Sequence, residues 1–446
     1  QLFVSMKAAH DCDVLIIGGG PAGSTMATLT ARQGRRVVLL EKDHHPRFHI
    51  GESLLPGNVE LFDRLGVKDQ VADIGMPKFG IEFVPPDLDE RSYVDFCEGW
   101  DPSKDSAWQV RRSELDELLF RHAGKQGALT LEGAKVRQVD FDADGAVVRA
   151  VLAEGETRSW RTKFVVDASG RDTLLANKFK SKQKNPDHNS TALFGHFRNA
   201  RRLEGKREGN ISICWFEHGW FWFIPLADGT TSVGAVCWAY YLKARDKPLK
   251  EYFFDTIAMC PELNDRLRNA TLVDDAVHAT GNFAYVSTHA TGDRYLMLGD
   301  AFTFIDPMFS SGVFLAMQSA FDGAEVVAAA LDRPAELPAA RRALEKRMRA
   351  GPRDYSWFIY RVTNPTIRDM FMHPKNVFKV KQGLMSLLAA DLQHGLRYRL
   401  SRVMFKAIYY FVSVLNWRRT YAGWQRHRLN IRDMGPLKGE TILKAD

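Results

Sequence analysis

Apolar residues recur along this chain at distinct spacings, and each spacing predicts a different kind of element. Val14-Leu15-Ile16-Ile17 and Val37-Val38-Leu39-Leu40 are unbroken apolar runs of strand length, as expected of strands buried on both faces. Between them Gly18-Gly19-Gly20-Pro21-Ala22-Gly23 opens a helix reaching about Gln33, which predicts a βαβ unit ending on Glu41. Gln109-Val110-Arg111 leads into an amphipathic helix with Leu115, Leu118, Leu119 and Phe120 inward. Val165-Val166 closes a further strand and Leu296-Met297-Leu298 another, while Asp144-Gly145 marks a hairpin turn. Elsewhere apolar and polar positions alternate. The segments 79–84, 91–96, 210–216, 220–225 and 231–238, with Ala227-Asp228-Gly229 as a turn, predict an antiparallel sheet. From Pro334 the spacing turns helical over 337–349, 375–388 and 398–417. The pattern predicts an α/β chain in three parts: a discontinuous Rossmann-like domain (11–75, 108–175 and 285–333), an inserted antiparallel-sheet domain (76–107 and 176–284) and a C-terminal helical appendage (334–446).

With 446 residues, 45% hydrophobic and 26% charged, the chain has the make-up of a folded globular protein with a sizeable core. Its five cysteines are odd in number and contain no C-x-x-C, so neither a disulfide framework nor a zinc site is expected and the cytoplasm is the natural compartment. His44, His45 and His49 lack a convincing set of partner ligands, and no metal is assigned to them. No signal peptide is read near the N-terminus. The late apolar stretch 407–417 is too short to span a bilayer, which needs ~20 residues. Charge is uneven: residues 337–446 hold 22 Lys+Arg against 7 Asp+Glu, or +15, within a chain whose net charge is +7.

Gly18, Gly20 and Gly23 stand where a tight turn and close approach to a pyrophosphate need them, and Glu41 can accept hydrogen bonds from ribose hydroxyls. A nucleotide cofactor is therefore expected. Three further pieces point to one family: Trp220-Phe221-Trp222-Phe223-Ile224-Pro225, Lys78 within Gly75–Gly80, and Phe304-Ile305-Asp306-Pro307-Met308-Phe309-Ser310-Ser311-Gly312. In this order, across roughly residues 11–330, they resemble the flavin-dependent halogenases. The resemblance implies a flavin hydroxylase-like FAD-binding fold, with Arg47, Ser53 and Arg111 near the cofactor and Asp300 on the ribityl hydroxyls; as a residue type Asp300 also suits a helix cap. It further implies that FADH2 arrives from a separate reductase and that oxygen and a halide, chloride or bromide, are co-substrates. Halogenation then runs through a flavin hydroperoxide and hypohalous acid.

In that scheme Lys78 directs the halogen, either as an ammonium donating to hypohalous acid or as an amine forming a haloamine. Trp220 and Trp222, which as a strand pattern also read as core packing, form a wall between flavin and substrate. Amides near Ser311 and Gly312 are the halide site, although a serine there also reads as a simple cap. Tryptophan-specific members carry a glutamate where this chain has Phe309, so the resemblance favours an electron-rich phenol or pyrrole, free or carrier-protein-bound. The basic tail admits an acidic carrier protein, a solvated packed face or an interfacial membrane helix near 398–419; no nucleic-acid module accompanies it. Competing readings are a flavin monooxygenase or prenyl-lipid reductase of the same fold, and a non-catalytic flavoprotein docking an acidic partner.

Overall fold

A computed structural model of the chain describes residues 10–86, 91–186, 188–281, 284–361, 364–372, 380–390 and 395–432. The apolar run at the start forms the strand Cys12–Ile17, paired in parallel with Val37–Leu40 on one side and Thr157–Asp167 on the other. Two parallel neighbours and helices on both faces explain why none of its core positions is polar. Gly18 follows at φ +102°, a conformation that favours glycine, and a Cβ there would collide with the Ala168 carbonyl. Pro21 then begins the helix Pro21–Arg32, where its missing N–H has no partner to lose. Leu129–Leu131 and Tyr295–Met297 extend the parallel part of the sheet, while Gly145–Val151 and Lys135–Asp142 add an antiparallel meander at its edge.

The second large sheet runs in the order Ser190–Arg198, Thr231–Trp238, Gly219–Pro225, Ile211–Phe216, Gly80–Val84, Ser92–Asp95. It is mixed rather than purely antiparallel, because Ile211–Phe216 and Gly80–Val84 run parallel. These two strands are joined through the nucleotide-side sheet instead of a hairpin, so no tight turn forces them to oppose. In Gly219–Pro225 the alternation is clean. Trp220, Trp222 and Ile224 face a cluster with Tyr355, Phe358 and Phe371, whereas Phe221 and Phe223 face Phe253, Ile257 and Leu263.

The helix Gly312–Asp332 is long and apolar enough to cross a membrane by composition, yet it packs between Pro21–Arg32 and Leu337–Ile359 as a core helix. Leu337–Ile359 runs ten residues past its expected end and through Pro352. Proline inside a helix costs about 3 kcal/mol. The buried stripe Leu344, Met348, Tyr355, Phe358 and Ile359 offsets it, each large side chain contributing about 1.5–3 kcal/mol. The helices Pro365–Met372, Val380–Leu388, Gly395–Leu415 and Trp417–Arg432 complete the C-terminal region.

Candidate active site

A deep cavity between the two sheets is lined by Gly18, Gly20, Glu41, Arg47, Ser53 and Asp300, and also by Trp220, Trp222, Ser310 and Gly312. Residues from distant parts of the chain meet here because the strand ends and the helix Gly312–Asp332 converge on one crevice. Gly23 lies just behind it, where a Cβ would enter the Gly18 carbonyl, so its role is close packing of helix on strand. No side chain caps the helix Pro21–Arg32, leaving its first N–H groups available to an anion.

Glu41 is buried, and Oε2 accepts from the Gly19 N–H at 2.7 Å while Oε1 accepts from the Asp43 N–H at 3.1 Å. Arg47 donates to Glu41 at 3.3 Å and to Asp116 at 3.3 Å, tying the loop that carries it to the cavity wall. Asp300 differs from both: its carboxylate has no hydrogen-bonded partner among the described residues, and burial raises its pKa to about 6 despite Arg171 and Arg112 nearby. A half-buried acid at a cavity, with no donor to it among the described residues, suits a ligand that brings hydroxyls. With the glycine turn and the uncapped helix, it makes the crevice one that FAD fits.

Arg111, expected at the cofactor, is turned away from the cavity. It donates to Asp228 at 2.6 Å and to Thr230 at 2.9 Å, clamping the turn of the second sheet. The arginine at the cavity is Arg112, which grips Asp116 with two bonds of 2.8 and 3.0 Å and donates to the Ile50 carbonyl at 2.9 Å. The reason is local. Arg111 is the extended residue before the helix, and strand parity no longer predicts direction once the chain turns into it. Arg111→Ala is therefore expected to change FAD affinity by less than about threefold, whereas Arg112→Ala leaves the buried Asp116 carboxylate only its longer bond to Arg47, at a cost of up to about 3–5 kcal/mol. Flavin titration and thermal melting of the two variants check this.

Lys78 ends the short strand Met76–Lys78, pairs with Ala107, and is fully buried. Its Nζ donates to Ser53 Oγ and to the Leu54 carbonyl, both at 2.9 Å, and lies 5.3 Å from the centre of the Phe96 ring. Ser53 links it to the cavity wall. Burial alone lowers its pKa to about 7, and among the described residues no carboxylate pairs with it.

Trp220 and Trp222 both line the cavity, ring centres 6.3 Å apart. The Trp222 Nε1–H donates to Ser232 at 3.1 Å, and the ring lies flat over Gly234, where a Cβ would occupy the ring's own space. Ser311 and Gly312 begin the helix Gly312–Asp332. Gly312 lines the cavity with open space around it, whereas Ser311 is buried, makes no side-chain cap and lines a smaller adjoining pocket that also touches Gly312. The preceding Asp306 holds this loop: one oxygen accepts from the Met308 N–H at 3.0 Å, and the other meets His188 at 2.7 Å and Ser190 at 2.9 Å.

Several cavity groups were given no role by the sequence. His49 lines it and is held neutral by burial, its pKa down to about 3. Glu52 also lines it, with Oε1 2.7 Å from His196 Nε2 and Oε2 unpartnered among the described residues. Only the Arg112/Asp116 pair left a local trace, a four-residue spacing on one helix. His45, one of the histidines weighed for a metal, is paired with Glu132 at 2.9 Å.

Residues 11–344 match the family model described as FAD binding domain. The flavin-dependent halogenase gsfI of Penicillium aethiopicum is 34% identical over 73% of this chain, and the tryptophan 2-halogenase of Chondromyces crocatus is 33% identical over 71%. The chain spans 66% and 60% of the lengths of these two relatives. The 1H-pyrrole-2-carbonyl-[peptidyl-carrier protein] chlorinase of Pseudomonas fluorescens is 31% identical over 70% of this chain and 74% of its own. Among solved structures, the myxobacterial chondrochloren halogenase CndH superposes with a TM-score of 0.76 at 30% identity, covering 87% of this chain and 98% of that one.

Proposed function

The chain belongs to the flavin-dependent halogenases, and from that premise we propose that it installs chloride or bromide on an electron-rich aromatic ring, with Lys78 directing the halogen. The observation that carries the reading is the state of Lys78. A lysine beside a proline at the end of a short strand is ordinarily solvated; this one is buried, has no counter-charge among the described residues and has a pKa brought to about 7. Lysine is rarely buried unpaired without a function for its altered basicity.

Bound as FADH2, the cofactor would supply reducing equivalents for activating oxygen, so that a halide becomes hypohalous acid. The chain's own residues do the rest. Gly18, Gly20, Glu41 and Asp300 hold the nucleotide and ribityl parts. The amides near Ser311 and Gly312 offer a halide the positive end of a helix, and the bonds from Asp306 to His188 and Ser190 keep that loop in place. Trp220 and Trp222 separate the ring to be halogenated from the flavin. Lys78 meets the oxidised halogen in an environment of low polarity, where its nitrogen can donate a proton or accept the halogen.

Phe309 favours a phenol or pyrrole over tryptophan. It is buried against Tyr355, Phe358 and Phe371, so the place of an acid is filled by an apolar cluster. An activated ring stabilises its own cationic intermediate and needs less help. The Pseudomonas relative acts on a carrier-bound pyrrole, which makes carrier-tethered rings part of the proposal, as is a separate reductase supplying FADH2 in a reducing cytoplasm. The test is a panel of free phenols, free tryptophan and pyrrolyl or phenolic rings on an acyl carrier, each supplied with reduced FAD, air and bromide. Bromination of a phenol or carrier-bound ring with tryptophan untouched supports this branch. Substrate-stimulated NADPH consumption without need for halide would instead identify a monooxygenase.

A further inference from the structure

The helices Gly395–Leu415 and Trp417–Arg432 carry a surface that the halogenation chemistry does not use. One face holds the first of them to the protein: Ser401, Phe405, Tyr409 and Ser413 are buried at four-residue spacing, against Val380–Leu388 and Pro365–Met372. Much of the rest of its surface is apolar and open. Leu400, Val403, Phe411, Val414 and Leu415 are 59–72% exposed, and the second helix continues with Trp417, Tyr421 and Trp424 at 46–62%. Soluble monomers rarely leave so long a contiguous apolar strip to water.

The charge around the strip says what covers it. The two helices contain nine Lys+Arg and no Asp or Glu. Arg418 lies 5.5 Å from the centre of the Trp417 ring, Arg428 4.6 Å from that of Trp424, and Arg399 is exposed beside Leu400. Aliphatic side chains along the middle, tryptophan and tyrosine at one end, arginine at the rim and no acid is the make-up of a helix pair lying in a membrane interface. Protein hot spots seat side chains in pockets. This strip is convex helix surface instead, suited to an apolar slab bordered by anions.

We infer that this face binds the protein to an anionic lipid surface. The binding is peripheral: the first helix is anchored in the core by its buried face, so only the exposed strip enters the headgroup region.

Sedimentation with vesicles tests this on the full chain. Vesicles of phosphatidylcholine alone are compared with vesicles containing about one third phosphatidylglycerol, at low and high salt. The wild type binds the anionic vesicles at least about tenfold more tightly than the neutral ones, and salt narrows the gap. Arg418→Gln with Arg428→Gln weakens anionic binding by roughly 10- to 30-fold. Phe411→Ser with Val414→Ser abolishes it. Both double variants keep their melting temperature and their turnover of a free phenol. Equal retention of wild type and variants, or no vesicle binding at all, overturns the inference. So does a dimer that Phe411→Ser with Val414→Ser dissociates while vesicles bind nothing, which would make the strip a contact between copies. Slowed turnover of carrier-bound substrate alone, again without vesicle binding, would assign the strip to an acidic carrier protein.

Discussion

Lys78→Met is expected to remove halogenated product by roughly 10²- to 10⁴-fold while FAD binding and release of hypohalous acid to a small-molecule scavenger continue. Positioned proton donors and nucleophiles contribute on that scale, and Lys78 is the amine held at Ser53 and Leu54. The same variant carries a stability signature. The folded-state pKa of Lys78 is about 7 against an ordinary 10.5, so between those values the unfolded chain holds a proton that the folded chain has released. Stability from this group therefore rises with pH across that window, and below about pH 7 the full burial cost is present, on the order of 5 kcal/mol. Lys78→Met lacks that slope. Parallel melting curves of wild type and variant from pH 7 to 10 would show that Lys78 is not a strained, discharged amine, and full halogenation by the variant would remove it from the mechanism.

Trp222→Ala carries the second large effect, because it changes stability and coupling together. Deleting a buried indole costs about 3–5 kcal/mol, and Ser232 loses the donor it accepts from. If the ring also separates substrate from flavin, the variant yields less halogenated product per oxygen consumed and begins to release hydroxylated ring. Gly234→Ala gives the complementary measurement. It keeps the indole but pushes it aside, at an overpacking cost of about 1–3 kcal/mol. Loss of coupling in both variants, at temperatures where both stay folded, supports the wall. Lowered melting with unchanged coupling reduces Trp222 to packing.

The elements that were legible in the sequence are those whose signal is local. The glycine turn at Gly18 is legible because only a residue without Cβ fits under Ala168, and the direction of Trp220 and Trp222 because strand parity fixes alternate faces. The helix Leu337–Ile359 was cut short because Pro352 is a strong local stop, and only the packing of Tyr355 and Phe358 overrules it. Partnerships across long separations left no trace. Glu52 meets His196 from 144 residues away, and Asp306 meets His188 from 118, so neither periodicity nor spacing could join them. Arg111 failed for another reason: the turn from strand to helix rotates adjacent side chains, and Arg112 inherits the cavity.

As proposed, this cavity passes oxidising equivalents to a halide and keeps the aromatic ring from the flavin. Mass spectrometry of the product formed from reduced FAD, air, bromide and a free or carrier-bound phenol tests it most directly. The expected product shows the paired isotopic peaks of a bromine atom on the ring, absent without halide and absent with Lys78→Met. A product that has gained oxygen instead, formed equally well without bromide, would contradict it.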